Sequence, residues 1–147
     1  MAVTLRDIDR ENFNRCVKLE VREEQRGFVA PNVYSIAEST VEPTFTPQAV
    51  YDGEEMVGFV MYGYDAEMGC HYVARMMIDK EHQGKGYGRA AMAEAVARMR
   101  SDPSCREIAL SIVPGNEAAQ RLYESLGFRK TGEVSHNEEV MRLSLAD

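Results

Sequence analysis

A single layered domain mixing strands and helices, α/β or α+β, is the fold class this sequence predicts, on three observations. Apolar runs of strand length, Met56 to Tyr64 and His71 to Asp79, stand among segments rich in helix formers. The stretch Gln83-Gly84-Lys85-Gly86-Tyr87-Gly88 joins the second of these runs to an Ala/Met-rich segment, Arg89 to Arg100. A further helical segment, Asn116 to Gly127, carries start and stop signals and lies between two more strand-like runs. Mixed strands with helices interposed near both ends make one layered domain. The 147 residues suffice for one well-buried core, so a single domain over 1–147 is expected.

The elements follow in order. Val3 to Asp7 reads as a strand, and Glu11 to Gln25 as a helix whose apolar side is Phe13, Val17, Leu19 and Val21. Pro31 and Asn32 open a short helix toward Glu38. Pro43 and Pro47 punctuate a turn, after which Ala49 to Asp52 and Met56 to Tyr64 form a hairpin about Asp52-Gly53. The strand His71 to Asp79 leads through the glycine stretch into the helix ending at Arg100. Asp102-Pro103 turns the chain into a strand at Glu107 to Val113, and the capped helix follows. Strands at Phe128 to Glu133 and Glu139 to Leu145 close it.

Glycines at alternate positions between a strand and a helix have a specific consequence. The first N–H groups of a helix lack intrahelical partners and point together at the positive end of its dipole. Without side chains at Gly84, Gly86 and Gly88, an anion can reach that backbone, and Lys85 and Arg89 add charge at the same end. The pattern reads as a pyrophosphate cradle. It is not a Walker loop, which needs four residues before a Gly-Lys-Ser/Thr. Nor is it the dinucleotide fingerprint: the spacing is G-x-G-x-G, and the next strand ends without an acidic residue.

The helix from Asn116 supports two readings of one tyrosine. Asn116 is a good N-cap, Glu117 favours the first turn, and Gly127 suits a left-handed C-cap. Ala119, Leu122, Tyr123 and Leu126 form one apolar stripe, so Tyr123 serves the core on that pattern alone. Gln83, Gly86 and Gly88, with Asn116, Ala119, Tyr123, Gly127 and Phe128 about 30 residues later, also resemble the two cofactor motifs of the GNAT acetyltransferases. That resemblance implies a twisted mixed sheet, splayed where acetyl-CoA enters. It implies acetyl-CoA contacts at Met77, Ile78, Gln83, Gly84, Lys85, Gly86, Tyr87, Gly88, Arg89 and Asn116, with Asn116 against the pantetheine arm. It makes Tyr123 the donor of a proton to the leaving thiolate.

Charge speaks to the other substrate. The net charge is −7, and between Arg26 and Arg75 there is no Lys or Arg but seven acids: Glu38, Glu42, Asp52, Glu54, Glu55, Asp65 and Glu67. One sign of charge around a cleft concentrates the opposite sign and disfavours nucleic acid. Solvation accounts for Asp52, Glu54 and Glu55 at a hairpin tip; for the others, solvation and substrate attraction both stand. The run Gln25 to Glu38 resembles the acceptor side of bacterial spermine/spermidine (diamine) N-acetyltransferases within the same family. The resemblance places Phe28 and Tyr34 beside a methylene chain, with Asn32, Ser35 and Glu38 near ammonium groups; Glu42 joins the candidate substrate residues by its charge. A homodimer is one option, the oligomeric state not being fixed by the sequence.

The chemistry then follows. An alkylammonium with pKa about 10 must lose a proton before it attacks a thioester, and Glu38, Glu42, Glu24 or a water chain can take it. Direct attack in a ternary complex needs no covalent enzyme intermediate. A GNAT acting on a protein N-terminus, a lysine or another small amine fits the same motifs, as does a CoA-binding module without catalysis. Cys16, Cys70 and Cys105 lack CxxC spacing and read as reduced thiols of a cytoplasmic protein, a Cys nucleophile having no His positioned by sequence. The three histidines lack metal-ligand spacing, so no metal is expected. Neither a membrane span nor a signal-peptide core is visible.

Overall fold

A computed structural model describes residues 1–145; the last two residues of the expected 1–147 domain lie outside the described residues. Seven strands run β1 Val3–Asp7, β2 Phe45–Asp52, β3 Glu55–Asp65, β4 Cys70–Ile78, β5 Glu107–Ile112, β6 Arg129–Ser135 and β7 Glu138–Ser144. Four helices, α1 Phe13–Lys18, α2 Asn32–Glu38, α3 Tyr87–Arg100 and α4 Glu117–Ser125, stand between them. The sheet order is β1-β2-β3-β4-β5-β7-β6. Every pairing is antiparallel except β4 with β5. No described helix is long and apolar enough to cross a membrane.

The apolar run of β3 is continuous because both faces of the sheet are covered. Val57, Val60 and Tyr62 join the core beneath α3 and α4, with Ala91, Met92, Ala95, Met99 and Phe128. Met56, Phe59 and Met61 join the other, beneath α1 and α2, with Cys16, Ala49 and Met77. A register shift sets Val50 opposite Gly58 but Tyr51 opposite Met56. The extra residue, Val57, moves the alternation by one and keeps each side chain on an apolar face. Phe59 and Phe128 are fully buried, and truncating either to Ala would cost about 3–5 kcal/mol.

Two expected elements differ. The helix expected over Glu11 to Gln25 stops at Lys18, and only a 3₁₀ turn at Glu23–Gln25 follows. Long-range bonds pull the intervening chain straight: Glu20 N–H donates to Asp79 Oδ1 at 3.0 Å and Lys80 N–H to the Glu20 carbonyl at 2.8 Å. Within α1 the buried residue is Cys16, while Phe13 is exposed. Pro47 lies inside β2, not in a turn before it. It sits one residue beyond the last β1 partner pair, Asp7 with Gln48, where β2 has one neighbour and a missing N–H is tolerated.

Candidate active site

The site exists because β4 and β5 part company. Only His71, Tyr72 and Val73 pair with Ile108, Ala109 and Leu110. Beyond them β4 carries an extra residue, Ala74, since Met61 pairs with Arg75 and Tyr62 with Val73. A bulge bends and twists the strand that bears it. Between the diverging strands lies a cleft of about 1010 Å³, walled by Ala74 to Ile78 on one side and Leu110 to Val113 on the other.

One end of the cleft is the glycine turn. Gly84 and Gly86 both take left-handed backbone, φ 78° and 87°, and Gly86 is the N-cap of α3. A Cβ on Gly84 would meet nothing within 4 Å, so the surface over the turn is open. The first helical bond reaching back to the loop is Ala90 N–H to the Gly86 carbonyl at 3.2 Å, which leaves the preceding N–H groups without helical partners. Gly88 differs: a Cβ there would sit in ordinary van der Waals contact, 3.4 Å, with the side chains of Leu122 and Met76. Open backbone at a helix N-terminus fits a pyrophosphate.

The side chains around the turn are mostly committed elsewhere. Both Gln83 amide hydrogens are used, one on the Ile78 carbonyl at 2.9 Å and one on Gln25 Oε1 at 2.8 Å. Tyr87 is buried and donates its hydroxyl to Asp52 Oδ2, a bond that raises its pKa. Arg89 donates to Ser125 Oγ at 2.8 Å, and neither it nor the exposed Lys85 lines the cleft. Backbone dominates this end. Met77 and Ile78 are buried in the β4 wall. Asn116 reaches the cleft from the α4 N-terminus, its Oδ1 accepting Ala119 N–H at 3.3 Å.

Tyr123 lies between the ends, on the α4 face turned to the sheet. It is 8% exposed, stacks edge-on against Phe128 and lines the cleft. Its hydroxyl makes no hydrogen bond among the described residues, and burial raises its pKa to about 12. The ring packs in the core as the apolar stripe implies, and the hydroxyl keeps its proton at neutral pH.

The far end is assembled from separate segments. Phe28, Tyr34 and Glu38 come from the α1–α2 region, Asp65 and Glu67 from the β3–β4 turn, and Glu138 from β7. Asn32 and Ser35 are in neither wall. Asn32 is 3% exposed and donates to the Cys16 carbonyl at 2.9 Å, and Ser35 is fully buried. They support α2 from beneath because they occupy the helix face opposite Tyr34. Glu42 is exposed and outside the lining, since it follows the end of α2. The thiols are buried and free, and desolvation raises all three, Cys16 to about 11, which disfavours the thiolate form.

Sequence reasoning missed three features. Arg75, at the bulge, donates to Glu38 Oε1 at 3.1 Å and to the Ala74 carbonyl at 2.8 Å. Its only mark in the sequence is that it ends the stretch without cations. Glu138 follows His136-Asn137, a pair with positive φ that marks a hairpin turn, so an acid at the cleft rim was open to inference. Tyr72, whose hydroxyl donates to Ser111 Oγ at 2.8 Å across the β4–β5 seam, left no signal beyond strand alternation.

A mixed sheet splayed at β4 and β5, with a glycine turn at one end of the opening, defines an acyl-CoA-type transferase site. The sequence pattern of the Acetyltransferase (GNAT) family matches residues 4–128, and the chain belongs to that family. The spermine/spermidine N(1)-acetyltransferase of Bacillus subtilis strain 168 is 28% identical, covering 96% of this chain and 97% of the relative. The solved spermidine N-acetyltransferase of Vibrio cholerae, in complex with CoA and spermine, superposes with TM-score 0.74 at 20% identity, over 95% of this chain and 92% of that one. The aminoglycoside acetyltransferase AAC(6')-Ib, in complex with coenzyme A and kanamycin, gives TM-score 0.80 at 19% identity, over 98% and 95%.

Proposed function

We propose that this enzyme transfers an acetyl group from acetyl-CoA to a primary amine of a polyamine such as spermine or spermidine, by direct attack in a ternary complex. The observation that carries the reading is one continuous cleft, with an open glycine turn at one end and four carboxylates, Glu38, Asp65, Glu67 and Glu138, at the other. Full-length similarity to spermine/spermidine N(1)-acetyltransferases supports the same substrate class.

Roles follow from placement. The backbone at Gly84 and Gly86 and the α3 N-terminus would hold the pyrophosphate, with Lys85 and Arg89 supplying field from outside the wall. Met77, Ile78 and Asn116 would border the pantetheine arm. Bound acetyl-CoA supplies the thioester. Phe28 and Tyr34 offer apolar surface to a methylene chain, and the carboxylates hold its ammonium groups. Of Glu24, Glu38 and Glu42, only Glu38 lines the cleft, so it is the side chain placed to take the amine proton, directly or through water. Arg75 orients its carboxylate. Tyr123 is the side chain placed to donate to the leaving sulfur: it lines the cleft, and burial keeps its hydroxyl protonated at neutral pH. A cytoplasmic homodimer completes the reading.

Thiol release from acetyl-CoA, measured over spermine, spermidine, diamines, lysine peptides and aminoglycosides, tests it. Spermine and spermidine should give the highest kcat/KM. A preference for lysine peptides or aminoglycosides would replace the substrate, and CoA binding with no turnover of any amine would make the chain a binding module.

A further inference from the structure

The strap between α1 and α2 is tied to the glycine turn by a reciprocal pair of amides. Gln25 Nε2 donates to Gln83 Oε1 at 3.2 Å, and Gln83 Nε2 donates to Gln25 Oε1 at 2.8 Å. Gln83 is in turn pinned to the end of β4 through the Ile78 carbonyl. Gln25 Oε1 also accepts Arg22 N–H at 3.1 Å, which closes the 3₁₀ turn at Glu23–Gln25. Both glutamines are partly buried and both line the cleft. They join segments with different tasks. Phe28 lies three residues past Gln25 in the acceptor wall, and Gly84 follows Gln83 in the cofactor turn.

We infer that Gln25 is a positioning residue that couples the two substrate sites: amine bound against the strap holds Gln25 in place, and Gln25 holds Gln83 and the glycine turn in the form that accepts CoA. The inference rests on the proposed amine substrate. A loose strap leaves both amides to find water, so each ligand lowers the ordering cost met by the other. Such coupling is reciprocal in binding free energy. The contacts at Glu20 with Asp79 and Lys80 anchor the strap's start in either case, so the amide pair is the part free to respond.

Calorimetric binding of CoA with and without saturating spermine tests the coupling, on the parent and on Gln25→Leu and Gln25→Glu. The parent should bind CoA at least about 5-fold tighter when spermine is present. In Gln25→Leu that ratio should fall to about one. The ratio is taken within each variant, so a loss of CoA affinity common to both conditions does not enter it, and the melting temperatures separate coupling from folding. Gln25→Glu still accepts from Gln83 Nε2 but cannot donate to Gln83 Oε1, and should retain an intermediate ratio. A parent ratio of one, or an undiminished ratio in both variants, overturns the clasp. Failure of the substrate reading shows separately, as spermine giving neither heat nor thiol release; the ratio is then measured with the amine that the panel selects.

Discussion

The two ends of the cleft are built on opposite principles. At the glycine turn the groups proposed to bind are backbone N–H groups of consecutive residues, and the nearby side chains of Gln83, Tyr87 and Arg89 are spent on protein partners. At the acceptor end the groups proposed to bind are four side-chain carboxylates from three segments that meet only in three dimensions. A backbone cradle is shaped by φ and ψ and recognises one anion geometry. A ring of separate carboxylates recognises charge and spacing, and each member can be changed without unmaking the others. The cofactor end should therefore fail all at once, and the acceptor end by degrees.

Between them, Tyr123 should show the largest effect. Tyr123→Phe keeps the ring against Phe128 and removes only the hydroxyl. Turnover should fall by ~10² to 10⁴ while CoA affinity hardly moves, as steady-state rates and calorimetry will read. Full turnover would return Tyr123 to a packing role. At the cofactor end, Gly86→Val puts a β-branched residue at φ 87°. That conformation costs about 1–3 kcal/mol, so the turn should leave it and CoA binding weaken by about 10- to 100-fold. An unchanged dissociation constant would remove the turn from the site.

At the acceptor end the losses should be graded. Glu38→Gln removes the charge that Arg75 balances inside the cleft, and should raise the KM for spermine by about 10-fold or more. Glu67→Gln, at an exposed side chain already paired with His136, should raise it by no more than about fivefold, and added salt should shrink that difference. A monoamine should respond less than spermine to each of these; equal responses would make the cluster a solvated face. Glu42→Gln, outside the wall, should change nothing measurable. The smallest effect at neutral pH concerns stability. Burial raises the folded pKa of Tyr123 to about 12, above an unfolded value near 10. Its contribution is fully present below pH 10 and is lost as pH rises from 10 toward 12. Tyr123→Phe should remove that part of the alkaline loss in denaturant titrations.

What could be read in advance followed the same division. The glycine turn, the Asn116 cap and the Tyr123 stripe were legible because each is set by residues close in the chain, through φ/ψ preference, capping and helical period. The strands β3, β4 and β5 were legible because sheet burial on both faces writes itself as apolar runs. The end of α1 was not, because Asp79 and Lys80 draw Glu20 out of the helix from about sixty positions away. Nor was the side of α2 that meets the cleft: Asn32 turns inward because Cys16 and Met77 wait beneath it. The sequence alone determined a mixed α/β chain with a glycine turn at a helix N-terminus and an acidic middle segment. Only the tertiary structure decided which acids meet, that Arg75 neutralises Glu38, and that Gln25 grips Gln83. Those outcomes depend on the bulge at Ala74 and on contacts between residues far apart in the chain, where local propensity carries no information.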